Sequence, residues 1–587
     1  MKTNLSLGRW VSVAALAVAV ALASQPAAAA HRILATSDAE LGGPSPYANF
    51  LVGRFAMMSG DIGTASHALG AAVAADPTNT DLRDKAFLIS ILNGDIDQAL
   101  ALSKSLENGS DTTRLMTPLL GAVSAMKAGR GGTAVKNLDA VLKISPNERN
   151  AVLLRPFALA MTGQWKQAFD DSGDAALSAN DNDRLLAYLV KAERARLYDI
   201  KGKPADAEAL YKTLYQPGAA TFIFGPDYAA FLERQDRKDE ARTVWQAIAD
   251  QTHDAVAIAA INNIDSAAYK KPALPDMKAS TAQALFMSAT ISFSEHDSEM
   301  ALASLRLSLY LDSSSDRERV FLGQIEDSLK NPEAAEAAWA SVPATSPYYA
   351  EAILRQVTSL KARDANDEAM TLLDGILAKD PDNLGFIVEK AGLLHDEQKD
   401  TAALALINDR IGRAGDKDFT WTAWFLQAVI YDSMDQWDNA EASIKKAQVL
   451  AGQRPEVLNF LGYGWINRGL HVEEGMDLIR QALNITPKSG AIVDSLGWGY
   501  YKLGKYDQAL SFVEQAVTME PSDAEINEHL GDVYKALGRD TEAGYEWQRV
   551  LTLDVTDKQA VEVRAKLDAN AKALQISAAE PAGDKKN

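Results

Sequence analysis

The sequence has no cysteine. That excludes disulfides, thiolate metal sites, a cysteine nucleophile and a lipidated N-terminal cysteine. It is also short of positive charge, with 59 Lys and Arg against 79 Asp and Glu, a formal net charge of −20. A chain this acidic repels nucleic acid and anionic lipid, so neither is expected as a partner. Past residue 23 no apolar run reaches the ~20 residues that span a bilayer, so no stable membrane insertion is expected. Strand-like alternation of useful length is absent as well, which leaves an all-α chain. With 587 residues at 47% hydrophobic and 24% charged, the chain is too apolar to be disordered and too long for one small core.

The N-terminus reads as an address. Lys2 and Arg9 precede an apolar run from Val11 to Ala23, broken only by Ser12. Ser24, Gln25 and Pro26 end it, and Ala27 to Ala30 place small residues at −3 and −1 of a cut before His31. This is the pattern of a secretory signal peptide; a retained anchor is the alternative. Avoidance of cysteine suits an oxidising compartment, and a bacterial periplasm is the simplest destination.

Internal periodicity is the strongest signal. A small residue opening an amphipathic stretch recurs at Ala65, Ala99, Ala134, Ala168, Ala207, Ala241, Ala301, Ala335, Ala369, Ala403, Ala440, Gly475, Ala509 and Ala543. Nearly all the intervals are 34 or 35 residues; the exceptions are 39, 60 and 37. A 34-residue unit has room for two helices of about 12 to 14 residues and two turns. Small residues belong where the helices of a pair cross, and Pro77, Pro381, Pro487 and Pro521 fall at matching ends.

Within the unit, Leu496-Gly497, Tyr500, Gly504, Tyr506, Ala509, Val513, Ala516 and Pro521 stand in fixed order. Leu530-Gly531, Tyr534, Gly538, Ala543 and Trp547 repeat it, as do Trp424, Ala428, Tyr431, Trp437, Ala440, Ile444 and Ala447. This pattern resembles the tetratricopeptide repeat, and over the last four units it is similar to long cell-envelope proteins of Gram-negative bacteria built from that repeat. The resemblance implies an α-solenoid of about 14 helix pairs wound as a right-handed superhelix. Some proteins of that class are lipid-anchored adaptors, but the lipobox cysteine is missing here.

The expected organisation is a signal peptide (1–30), a lead segment (31–45), an N-terminal array (46–250), a joint (251–281), a C-terminal array (282–557), a capping helix (558–575) and a disordered tail (576–587). Within the joint, Ala255 to Tyr269 reads as helix, and Pro272 and Pro275 stop it. A degenerate repeat with a long loop is the alternative.

Catalytic chemistry is hard to place. None of the seven histidines forms H-E-x-x-H or a close helical pair, and each reads as solvated or satisfied. Ser443 and Lys446 match S-x-x-K, but inside a packing helix. The turn at Gly129 to Gly132 lacks the end of a phosphate loop. No cofactor, metal site or catalytic residue is therefore expected.

By resemblance, the first helix of each pair lines a concave groove. Over three units this places Asn459, Tyr463, Asp494, Trp498, Tyr501, Glu528, Asp532 and Lys535 there. Aromatics beside polar groups suit a peptide ligand, and the acids favour a basic or backbone-presenting one. The competing reading makes Trp498 and Tyr463 interhelical core. The Lys/Asn/Arg carboxylate clamp of the family's chaperone-binding members is absent. The expected function is a non-catalytic scaffold or adaptor for periplasmic or envelope proteins. The alternatives are a structural subunit of an envelope or secretion assembly and an enzyme with an unrecognised site.

Overall fold

A computed structural model describes residues 45–104, 106, 109–171, 184–215, 221–252 and 254–579. The signal-peptide region, the lead segment up to residue 44 and the last eight residues lie outside them. The described residues form thirty helices, α1 to α30 in chain order, and no strand. They divide into two compact units, one ending at Ala365 and the other beginning at Asn366.

The periodic small residues define the helix pairs. Each of the fourteen is the fourth residue of a helix, from Ala65 in α2 (Ile62–Ala75) to Ala543 in α29 (Asp540–Val550). All thirteen alanines are 0% exposed. A larger side chain at this point would push the paired helices apart. Local chemistry sets the boundaries. Asp61 caps α2 by accepting from the Thr64 amide. Gly94 closes α3 (Thr80–Asn93) with φ +86°, a conformation that a side chain would oppose.

In the first unit the chain folds back into its own groove. α14 (Met277–Ser294) and α15 (Ser298–Leu311) pack against α3, α5 (Asp111–Lys127), α7 (Arg149–Met161) and α9 (Arg184–Ile200), the first helices of four successive pairs. Leu285, Ala289, Leu302 and Leu305 of the hairpin share one buried cluster with Leu120, Leu154 and Phe157 of the array. Arg149 donates to both carboxylate oxygens of Glu295 at 3.0 Å, and Asn150 donates to Ser304 Oγ at 3.2 Å. Arg306 donates to the Leu92 carbonyl at 3.0 Å and to Glu326 at 2.6 Å. The expectation of an open concave surface along the whole array is corrected here. The contacts of Arg149 with Glu295, Asn150 with Ser304 and Arg306 with Leu92 join residues 146, 154 and 214 apart in sequence, beyond any repeat-length signal.

The segment 251–281 lies inside this unit, and the compact units divide at 365/366 instead. Its helix, α13 (Ala255–Asn263), stops short of Tyr269. The stretch that follows is strapped to α11 (Thr221–Arg234) and α12 (Lys238–Thr252). Lys238 donates to the Ile264 carbonyl at 2.9 Å, and Tyr269 donates to Glu233 Oε2 at 2.9 Å. Trp245 donates to the other Glu233 oxygen at 2.8 Å, so the buried carboxylate is satisfied from two elements.

In the second unit α24 (Pro455–Asn467) and α25 (Val472–Ile485) cross with backbone close to backbone. A Cβ on Gly475 would lie 2.7 Å from the Gly462 carbonyl oxygen. That explains why this one repeat has glycine where the others have alanine. The last helix, α30 (Asp557–Ala579), runs past the expected end of the cap at 575.

Candidate functional site

The residues expected to face a groove lie on α24, α26 (Gly490–Lys502) and α28 (Ala524–Ala536). These elements form because each opens a repeat after a turn, and Asp523 caps α28 by accepting from the Glu525 and Ile526 amides. The three helices approach closely enough for their side chains to bond across one another.

Tyr463 donates its hydroxyl to Glu525 Oε1 at 2.6 Å, reaching from α24 to α28. His529 Nδ1 pairs with Asp494 Oδ2 at 2.7 Å. The imidazole stacks on Trp498 with ring centres 3.9 Å apart, and Trp498 stacks on Tyr501 at 4.4 Å. Trp498 donates its indole N–H to Asn467 at 3.2 Å. Only 2% of Trp498 is exposed and 9% of Tyr463, while Tyr501 is half-buried.

The charges are shaped by burial. Burial raises the Glu525 carboxyl to about 7, against the pull of His529 and the Tyr463 hydroxyl. Burial alone would lower the His529 imidazolium. Asp494 and then Glu525 outweigh it and hold the group at about 9. Tyr463 is pushed well above the ordinary tyrosine value, by burial first and then by Glu525. His529 therefore stands at neutral pH as a buried cation between two carboxyls.

The remaining expected residues are met by the last helix. Lys566 of α30 donates to Glu528 Oε1 at 2.7 Å and to both Asp532 oxygens at 2.6 Å. Gln559 donates to the other Glu528 oxygen at 2.9 Å, and Trp547 donates to Asp532 at 3.1 Å. Burial raises the Asp532 carboxyl, and Lys566 opposes this. Lys535 bonds Asp540 at 3.0 Å and Asn570 at 2.8 Å. Asn459 is buried on α24, and its Oδ1 has no hydrogen-bond partner among the described residues.

The structure thus brings Tyr463, Asp494, Trp498 and Tyr501 into one cluster, and Glu528, Asp532 and Lys535 into a second, adjoining the last helix. Asn459 joins neither through a hydrogen bond. Sequence reading missed His529 as the hub, Asn467, and Lys566 as the counter-charge. The 34-residue offset from Trp498 through Asp532 to Lys566 is the signal that could have found Lys566, because α30 continues the register of the first helices. Among the described residues no cluster of His, Asp and Glu could hold a metal ion. With its titratable groups buried and paired, the arrangement is suited to holding helices in register and presenting their outer edge.

The tetratricopeptide repeat family model matches residues 495–554. A TPR repeat-containing protein of Pseudomonas aeruginosa is 25% identical over 190 residues, 32% of this chain. The chain spans about a third of that relative's length, 31%. Among solved structures, the APC/C hetero-tetramer Cut9-Hcn1 aligns over 92% of this chain and 98% of its own at 15% identity and a TM-score of 0.39. A tetratricopeptide repeat protein from Parabacteroides merdae aligns over 44% of this chain and 98% of its own, at 13% identity and a TM-score of 0.36.

Proposed function

We propose that this chain, whose residues 495–554 match the tetratricopeptide repeat model, is a non-catalytic scaffold that binds protein segments along α24, α26 and α28 of its second unit. One observation supports this reading above the others. The three helices are cross-bonded through Tyr463, Glu525, His529 and Asp494, and Trp498 carries the half-buried ring of Tyr501 at their edge. A pre-ordered Trp498–Tyr501 stack, with Lys502 5.2 Å from the Trp498 ring centre, offers an apolar anchor without the cost of ordering a loop.

We place the scaffold in the bacterial periplasm. The reading rests on the signal-like residues 1–30 and the missing cysteines. No described helix is long and apolar enough to cross a membrane. The partners are envelope proteins or peptides.

Crosslinking in cells followed by mass spectrometry tests the binding face, comparing wild type with a Tyr501→Glu, Lys535→Glu variant. Loss of partner crosslinks to the second unit supports the face, and an identical partner set would overturn it. Cell fractionation with N-terminal sequencing tests the location. An unprocessed chain in the cytosol would sink it.

A further inference from the structure

The outer face of α1 (Pro46–Ser59) is apolar. Tyr47, Leu51, Phe55 and Met58 recur at i, i+4, i+8 and i+11, on one side of the helix. Tyr47 is 70% exposed, Phe55 71% and Met58 80%; Met57 extends the patch at 39%. Arg54 is the one charge in the helix. The opposite side is fully engaged, with Gly53 and Ala56 buried against α2. A stacked-repeat protein ordinarily keeps an outward face polar.

We propose that this face is the contact between two copies of the chain, meeting α1 against α1 about a two-fold axis. Three observations choose a second copy as the occupant. First, the stripe is self-complementary: an antiparallel pairing sets Tyr47 of each copy near Met58 of the other and closes after two subunits. Second, area suffices. Fully buried aromatics cover about 150–250 Å² each, so the five apolar side chains at these exposures bury about 1,000 Å² over two copies, the lower bound for a specific interface. Third, charge permits it. Two copies at −20 each repel one another, yet α1 has no acid among its 14 residues. It is a charge-poor face on which so acidic a chain can meet itself.

The test is sedimentation of the purified full chain across a hundredfold range of concentration, wild type against Phe55→Glu, Met58→Glu. Both residues point to solvent, so the variant should keep its helical circular dichroism and melting temperature. The expected result is a concentration-dependent wild-type dimer, with the dimer constant weakened at least tenfold in the variant. A wild type that stays monomeric throughout overturns the proposal; that is also the outcome if residues 31–44 cover the stripe. A dimer unchanged in the variant overturns it too, and would place association elsewhere. In this cysteine-free chain a Tyr47→Cys, Met58→Cys variant gives a second readout, because the pairing sets position 47 of each copy against position 58 of the other. Oxidation should link two copies between these positions, and exclusively monomeric chain after oxidation would count against the pairing.

Discussion

Tyr463 and Glu525 are 62 residues apart, on helices with α26 between them, yet their side chains share a 2.6 Å hydrogen bond. The bond ties α24 to α28 across the buried His529. It converts three neighbouring repeats into one polar-bonded block.

Removing that hydroxyl leaves the carboxyl to water, since the Glu525 side chain is 34% exposed. Tyr463→Phe should destabilise the second unit by about 0.5–1.5 kcal/mol, the net worth of one hydrogen bond. Urea unfolding followed by circular dichroism measures it. An unchanged midpoint would mean water replaces the hydroxyl.

His529 makes stability depend on pH. Its folded value of about 9 lies above the ordinary 6.5, so between these values the folded state binds a proton that the unfolded state does not. The stabilisation is complete below pH 6.5 and is lost as pH rises through 9, amounting to about 3 kcal/mol. The groups facing it are Asp494, Glu525, Asp532 and Tyr463. Unfolding curves at pH 6 and 10 for wild type and His529→Gln should differ in slope with pH. Parallel pH profiles would refute the buried cation.

Glu318 of α16 (Asp316–Ser328) is buried, and its Oε2 has no hydrogen-bond partner among the described residues. Burial raises its carboxyl to about 8. The folded state holds this proton where the unfolded state has released it, so stability falls as pH rises from 4.5 to 8. Glu318→Gln should be near neutral at pH 4.5 and stabilising by about 1–3 kcal/mol above pH 8. Thermal melts at the two pH values decide it.

Gly475→Ala sets two effects against each other. Helix propensity favours alanine by about 1 kcal/mol. The new Cβ would sit 2.7 Å from the Gly462 carbonyl oxygen and 3.0 Å from Ile466, and such overpacking costs about 1–3 kcal/mol. Steric overlap with backbone should win, giving net destabilisation in urea. A stabilised variant would show that the two helices cross more loosely.

The self-filled groove of the first unit is open to a direct check, since the chain has no competing thiol. Asn150→Cys with Ser304→Cys replaces side chains in contact at 3.2 Å. Mild oxidation should close a disulfide, seen as a two-hydrogen mass loss and a mobility shift without reductant. Two thiols that alkylate freely in the native protein would place the α14–α15 hairpin outside the groove.

Much of this was legible in the amino acids because the repeat is a local device. A small residue at the fourth position of every second helix answers to a crossing inside 34 residues, and the crossing needs nothing distant. The helix pairs, their register and the two-proline break before α14 follow from the same short-range rules. The site was legible only in outline. Spacing picked out the side of each first helix that meets its neighbours, but an aromatic there reads equally as anchor or core. The approach of three helices, not the residue type, left Trp498 at 2% exposure and drew His529 into the centre.

The chain's periodicity alone specified paired helices and which faces they bury, since side-chain size and helical pitch act over a few turns. Only the folded molecule decided that α14 and α15 pack across the first helices of four pairs, because that seat depends on how successive repeats stack and no single repeat encodes it.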